Sequence, residues 1–191
     1  MQIILASQSP RRRELMQLFH LSFTVRAADI DETIDPGKAP ADEVARLSLL
    51  KARAVPREDG DIVIAADTIV VCDGQVLGKP KDPEEAAAML RLLSGKVHQV
   101  MTGLTVLRGQ TAVTRTQITQ IRFCALTEKQ IVAYVRSGEP MDKAGAYGIQ
   151  GGGALFVEQI QGDYFNVVGL PVCLLGQILR EIAPELSEET Q

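Results

Sequence analysis

Residues 3–20 read IILASQSPRRRELMQLFH. Ile3 to Ala6 is a short apolar run ending in small polar residues, the pattern of a buried strand. Ser9 followed by Pro10 then starts a helix, because the hydroxyl caps orphan amides and the proline ring is pre-set for the first turn. Leu15, Met16, Leu18 and Phe19 give that helix an apolar stripe. A strand feeding directly into a capped helix is the opening of an α/β protein. The charge pattern runs against local rules. Arg11, Arg12 and Arg13 fill the positively polarised end of the helix, where a cation costs about 0.3–1 kcal/mol and three cations also repel one another.

The alternation continues outward from this unit. Phe23 to Ala27 suits a second strand and leads into the acidic loop AADIDETIDPGKAP, residues 27–40. Ala41 to Val55 has helical spacing, with Val44, Leu47, Leu50 and Ala54 on the core face and Lys51 at its edge. Asp61 to Val71 and Gln75 to Leu77 flank Asp73-Gly74, a pair that favours a two-residue hairpin turn. Asp82-Pro83 starts a helix ending near Ser94-Gly95. Two longer strands, His98 to Leu107 and Ala112 to Cys124, are joined through Arg108-Gly109. Thr127 and Gln130 match a capping box, and Gly138 stands where a helix C-terminus wants it. The stretch GEPMDKAGAYGIQGGG, residues 138–153, is too glycine-rich for either regular state and reads as a shaped loop. A last hairpin is expected to turn at Gly162-Asp163, and a helix opened by Pro171 runs to an acidic tail. With no repeat and no linker, the expectation is a single domain over residues 1–191, α/β, with a mixed sheet flanked by helices.

The 191 residues carry 20 basic and 24 acidic side chains, a net charge of −4. That balance argues against a nucleic-acid partner, and 4% aromatics with no Trp argues against base stacking. Cys72, Cys124 and Cys173 have no zinc spacing and are expected to be reduced core cysteines. No long apolar run or signal region is present, so the expectation is a cytoplasmic protein with no membrane partner.

A strand, a loop with Ser7 and Ser9 and a capped helix are the usual geometry for an anion, and Arg11 and Arg12 read either as forks onto a phosphate or, with Arg13 facing water, as a solvated basic patch. Asp67 interrupts DIVIAADTIVV, residues 61–71, where a carboxylate costs several kcal/mol unless it is paired. It reads either as a metal ligand or general base, or as a structural Asp at a strand end. Most of Asp29, Asp31, Glu32 and Asp35 read as a solvated loop, with Asp31 or Glu32 able to help hold magnesium beside Asp67. Lys51 and Lys79, taken singly, read as snorkelling lysines. His20 and His98 have no plausible Ser or Cys partner, and the Walker and GxGxxG patterns are absent. What remains suits metal-assisted attack of water on a phosphate chain.

ILASQSPRRRELM, DIDE, LLKARA, AADTIV, LGKPKD, LSGKVHQVMTG, GEPMDKAGAYGIQG and GDYFNVVGLP, in this order, together resemble the Maf family of nucleoside-triphosphate pyrophosphatases. The resemblance implies an elongated Maf/Ham1-like fold with a central cleft, a homodimer, and a divalent metal (Mg or Mn). It also implies hydrolysis of a nucleoside triphosphate to the monophosphate and pyrophosphate. Carried over by motif, the proton acceptor falls on Asp67 and the phosphate-binding positions on Ser7, Arg11, Arg12, Lys51 and Lys79. The acidic position, a metal ligand with Asp67, falls on Glu32, and substrate-tuning positions fall on Arg11, Thr68 and Gln150. The stretch from Asp142 to Gly151 resembles the branch acting on dTTP and UTP rather than the one acting on 7-methyl-GTP. A non-enzymatic nucleotide-binding regulator of division is the alternative from another class.

Overall fold

The computed structural model describes residues 1–188, and residues 189–191 of the expected acidic tail lie outside the described residues. Seven strands form a mixed sheet: β1 (Ile3–Leu5), β2 (Phe23–Val25), β3 (Ile62–Cys72), β4 (Gln75–Leu77), β5 (Val97–Arg108), β6 (Thr111–Phe123) and β7 (Val157–Gln161). The order is β2-β1-β3-β5-β6-β7, with β4 paired to β3. β1 runs parallel to both β2 and β3, while the β3–β4 and β6–β7 pairs are antiparallel. The helices are α1 (Pro10–Gln17), α2 (Pro40–Ala54), α3 (Pro83–Leu93), α4 (Glu128–Arg136), α5 (Tyr164–Val168) and α6 (Val172–Ile182).

The chain packs as two compact units. Among the described residues one comprises 1–67, 102–117 and 169–188, the other 68–101 and 118–168. In the first, Ile4, Ala6, Ala52, Val55, Val63, Ala65 and Leu107 form an apolar cluster. Here α2 lies with its backbone directly against β5, and Gly103 is what permits it: a Cβ there would collide with the Val44 carbonyl. Hydrogen bonds reinforce the seat, since Ser48 meets Thr105 at 2.8 Å and Thr116 donates to the Ala41 carbonyl.

The second unit has an aromatic core in which Phe123, Tyr147, Phe156 and Tyr134 meet edge to face. His98 lies in it, 1% exposed, with Nε2 2.9 Å from the Tyr147 hydroxyl and Nδ1 without a partner. Burial pushes its pKa down to about 4, against 6.5 in the unfolded chain. The folded state therefore binds fewer protons between these values, so stability is complete above about pH 6.5 and lost as pH falls toward 4. The loss amounts to about 3 kcal/mol by pH 4. Urea midpoints measured from pH 7 to 4.5 should fall in this window, and His98→Phe should flatten the slope. A slope unaltered by that substitution would mean that other groups set it.

Local signals explain most boundaries. Ser9 caps α1 with Pro10 in the first turn, Asp82 caps α3, and Thr127 and Gln130 close the capping box of α4. Asp73 and Gly74 both take positive φ between β3 and β4, the two-residue turn expected of Asp-Gly. Three expectations need correction. The hairpin at Gly162-Asp163 is not formed; β7 ends there and the chain enters α5, because Asp163 accepts from the Phe165 amide and Asn166 is held by the Val100 carbonyl and Thr119. The glycine-rich stretch contains single 3₁₀ turns at Glu139–Asp142, Ala144–Ala146 and Gly152–Phe156. Of the cysteines only Cys72 is buried; Cys124 is half-buried and Cys173, near the start of α6, is exposed. No helix among the described residues is long and apolar enough to cross a membrane.

Candidate active site

The first unit draws five of the expected residues into one cluster. Asp67 is in the interior of β3, not at a strand end, and is 7% exposed. Its Oδ1 accepts a hydrogen bond from Lys51 Nζ at 2.6 Å. Lys51 was expected at the edge of the α2 core face, but it is buried, because its ammonium has a carboxylate to reach. The same Nζ lies 3.0 Å from Glu32 Oε1, so one ammonium bridges a buried and a half-exposed carboxylate.

The strand–helix junction supplies the positive counterpart. Ser7, buried in the turn between β1 and α1, accepts from the Ser9 amide at 3.2 Å and from Arg12 Nη1 at 3.3 Å. Arg12 Nε donates to the Gly169 carbonyl at 2.7 Å, which fixes the guanidinium. Burial lowers the Arg12 pKa; Asp67 and Glu32 pull the other way, and Arg11 adds repulsion. The guanidinium therefore feels both carboxylates of the Lys51 bridge. Arg11 is half-buried and Arg13 exposed, as expected of a helix turning only part of its first turn inward.

These contacts revise one energetic expectation. Removing a cation from the α1 N-terminus should relieve an unfavourable dipole contact of about 0.3–1 kcal/mol, but Arg12 also satisfies Ser7 and Gly169. Losing a donor to buried acceptors costs about 1–3 kcal/mol. Arg12→Ala is therefore expected to lower the melting temperature and to reduce kcat/KM at least about tenfold, the scale of a lost charge-assisted hydrogen bond. Arg13→Ala should leave both nearly unchanged. Equal mild effects would mean a solvated basic patch.

Of the acidic-loop residues, Glu32 reaches this cluster through Lys51. Asp31 turns back on its own loop, its Oδ1 accepting from the Thr33 amide at 2.9 Å. Among the described residues no group of three His, Cys, Asp or Glu side chains is arranged to hold a metal.

Thr68, Lys79 and Gln150 belong to the second unit. Thr68 is half-buried in β3, while Lys79 is exposed just after β4. The Gly145 amide donates to the Gly78 carbonyl at 3.0 Å, tying the glycine-rich stretch to the residue before Lys79. Gln150 is exposed, and no hydrogen bond of its side chain occurs among the described residues. It does not brace its own turn. That work falls to Glu139 and Tyr134, which sequence reasoning missed. The Glu139 carboxylate accepts from the Tyr134 hydroxyl at 2.8 Å and the Gly152 amide at 2.9 Å, and the Gly148 amide donates to Tyr134 Oη at 3.0 Å. Burial opposes the charge on Glu139, but the Gly152 and Gly153 amides, Tyr134 and Lys143 outweigh it and hold its pKa below the usual range. A side chain on Gly151 would run into this carboxylate. The available signal was a single Glu beside a glycine cluster.

Comparison with known proteins bears on the fold and the family. A solved structure described as a HAM1 protein from Coxiella burnetii has the same fold at a TM-score of 0.54, covering 95% of this chain and 99% of that one with 16% identity. A dTTP/UTP pyrophosphatase from Bacillus pumilus (strain SAFR-032) is 51% identical over 179 residues, 93% of this chain and 95% of its own. One of the same name from Bacillus cytotoxicus is 50% identical over 179 residues, 93% of this chain and 94% of its own. The family model described as Maf-like protein matches residues 2–182, and the chain belongs to the Maf family.

Proposed function

We propose that this protein hydrolyses dTTP and UTP to the nucleoside monophosphate and pyrophosphate. The observation that supports this most is the meeting of Arg12, Lys51, Asp67 and Glu32 in one cluster at the Ser7 turn, in a chain about half identical to relatives named for that activity. The chemistry needs positive groups for the phosphate chain and one carboxylate to take a proton from water. Asp67 is the proton acceptor. Ser7, Arg11, Arg12, Lys51 and Lys79 bind the phosphates, and the positive charge of the two arginines and two lysines stabilises what develops on the leaving pyrophosphate.

Glu32 and Asp67 would hold a Mg or Mn ion. Their two carboxylates already share one cation, the Lys51 ammonium, and a hard-oxygen pair completed by water and substrate phosphate is the usual Mg²⁺ environment. Such an ion, when bound, polarises the phosphoryl oxygens. Homodimerisation and a cytoplasmic setting belong to the same proposal. The first rests on the family resemblance and is checked by light scattering, the second on the ordinary soluble composition.

Gln150, with Thr68 and Arg11, is assigned to the choice of base. A pyrimidine with two carbonyls and one ring N–H needs a neutral partner offering both donor and acceptor, as an amide does. The amide of Gln150 is exposed, and its loop is braced by Glu139 instead. Pyrophosphate release should be measured with dTTP, UTP, CTP, GTP and 7-methyl-GTP under one metal. The first two are expected to react fastest, and Gln150→Glu to weaken both with the fold intact. Preference for 7-methyl-GTP would overturn the branch, and binding without turnover would favour a regulator.

A further inference from the structure

Glu32 belongs to residues 26–39, which contain neither helix nor strand, and its side chain is 53% exposed. Such a residue pays conformational entropy to hold one position. The structure shows what holds its neighbours. Glu43, in the first turn of α2, is a charged residue with 0% exposure. Its Oε2 accepts from the Asp35 amide at 2.9 Å and from Arg46 Nη2 at 2.7 Å, while Oε1 accepts from Arg46 Nε at 2.9 Å. Arg46 Nη2 also donates to the Thr33 carbonyl at 2.9 Å. Lys38 adds an ammonium 3.9 Å from Oε1. The Arg46 fork and the Asp35 amide hold the Glu43 pKa down to about 2, so it stays ionised near neutrality.

The two anchor points, Thr33 and Asp35, follow Glu32 within three residues. Lys51, the partner of Glu32, is on the same 15-residue helix as Glu43 and Arg46. We infer that Glu43 and Arg46 are positioning residues: they fix the chain just after Glu32 to α2, so that Glu32 is held against Lys51 before substrate arrives. Preorganising a loop in this way removes an ordering cost from the working state. The inference rests on the reading of Glu32 as the acidic group of the active site.

The test is a double-substitution cycle with UTP. Arg46→Lys keeps the charge but cannot reproduce a fork that bonds Glu43 twice and Thr33 once; Glu43→Gln removes the acceptor charge. Each is expected to lower kcat/KM about tenfold to a hundredfold, the cost of slight misplacement of a reacting group. In a Glu32→Gln background the same changes should cost less than about twofold, because their route of action is gone. A general structural role would instead give the same loss in both backgrounds, and that result overturns the inference. If Glu32→Gln is crippled while Arg46→Lys and Glu43→Gln are not, this inference falls and Glu32 keeps its role. If Glu32→Gln retains wild-type activity, both fall. Should Glu43→Gln fail to fold, Arg46→Lys, at a partly exposed side chain, carries the cycle alone.

Discussion

Asp67→Asn should reduce turnover by about a hundredfold or more, the scale of a lost general base. The substitution keeps the size of a side chain that is 7% exposed in the interior of β3. It removes the charge that would take a proton from water and share a metal with Glu32. Folding should survive, because Lys51 keeps Glu32 at 3.0 Å and is not stranded as an unpaired buried cation. Steady-state pyrophosphate release, with circular dichroism and melting temperature as controls, checks this. A folded Asn variant with most of its activity would show that Asp67 serves only as the counter-charge of Lys51, and the proposed mechanism would be wrong.

Local rules were sufficient wherever one residue type satisfies one backbone need. The Ser9-Pro10 start, the Asp82 cap, the Thr127/Gln130 box and the Asp73-Gly74 turn were all legible because each acts within three or four residues. The Gly162-Asp163 hairpin failed because non-local bonds decided it: Asn166 is captured by Val100 and Thr119, more than 40 residues away. The site follows the same division. Arg12 and Asp67 stood out as charges in places that disfavour charge. Lys51 read as an edge lysine because its partners are 16 and 19 residues distant and only the fold brings them together. Glu43 and Arg46 have no local oddity at all; a Glu in a first helical turn is what the dipole already favours, so the burial of Glu43 and its hold on a loop were invisible.

The Lys51 bridge sets up the second large effect, on stability as well as on rate. Lys51→Met keeps the apolar stem in the α2 core face and deletes the ammonium. Glu32 loses little by this, since its side chain is 53% exposed and solvated. Asp67 is left as a buried carboxylate balanced by Arg12 at longer range. Removing one partner of a buried pair costs about 3–5 kcal/mol, and the Arg12 field places the expectation at the lower end. For a chain of this length that is a drop in melting temperature of about 6–12 °C. Activity should fall about a hundredfold as well, through lost stabilisation of charge on the phosphates. The double variant Lys51→Met with Asp67→Asn separates the two effects. With no uncompensated carboxylate left in β3, it should recover most of the lost stability while remaining inactive. If Lys51→Met melts with the wild type, or if the added Asn destabilises it further, Asp67 does not depend on the ammonium for its charge balance, and Arg12 alone must supply it.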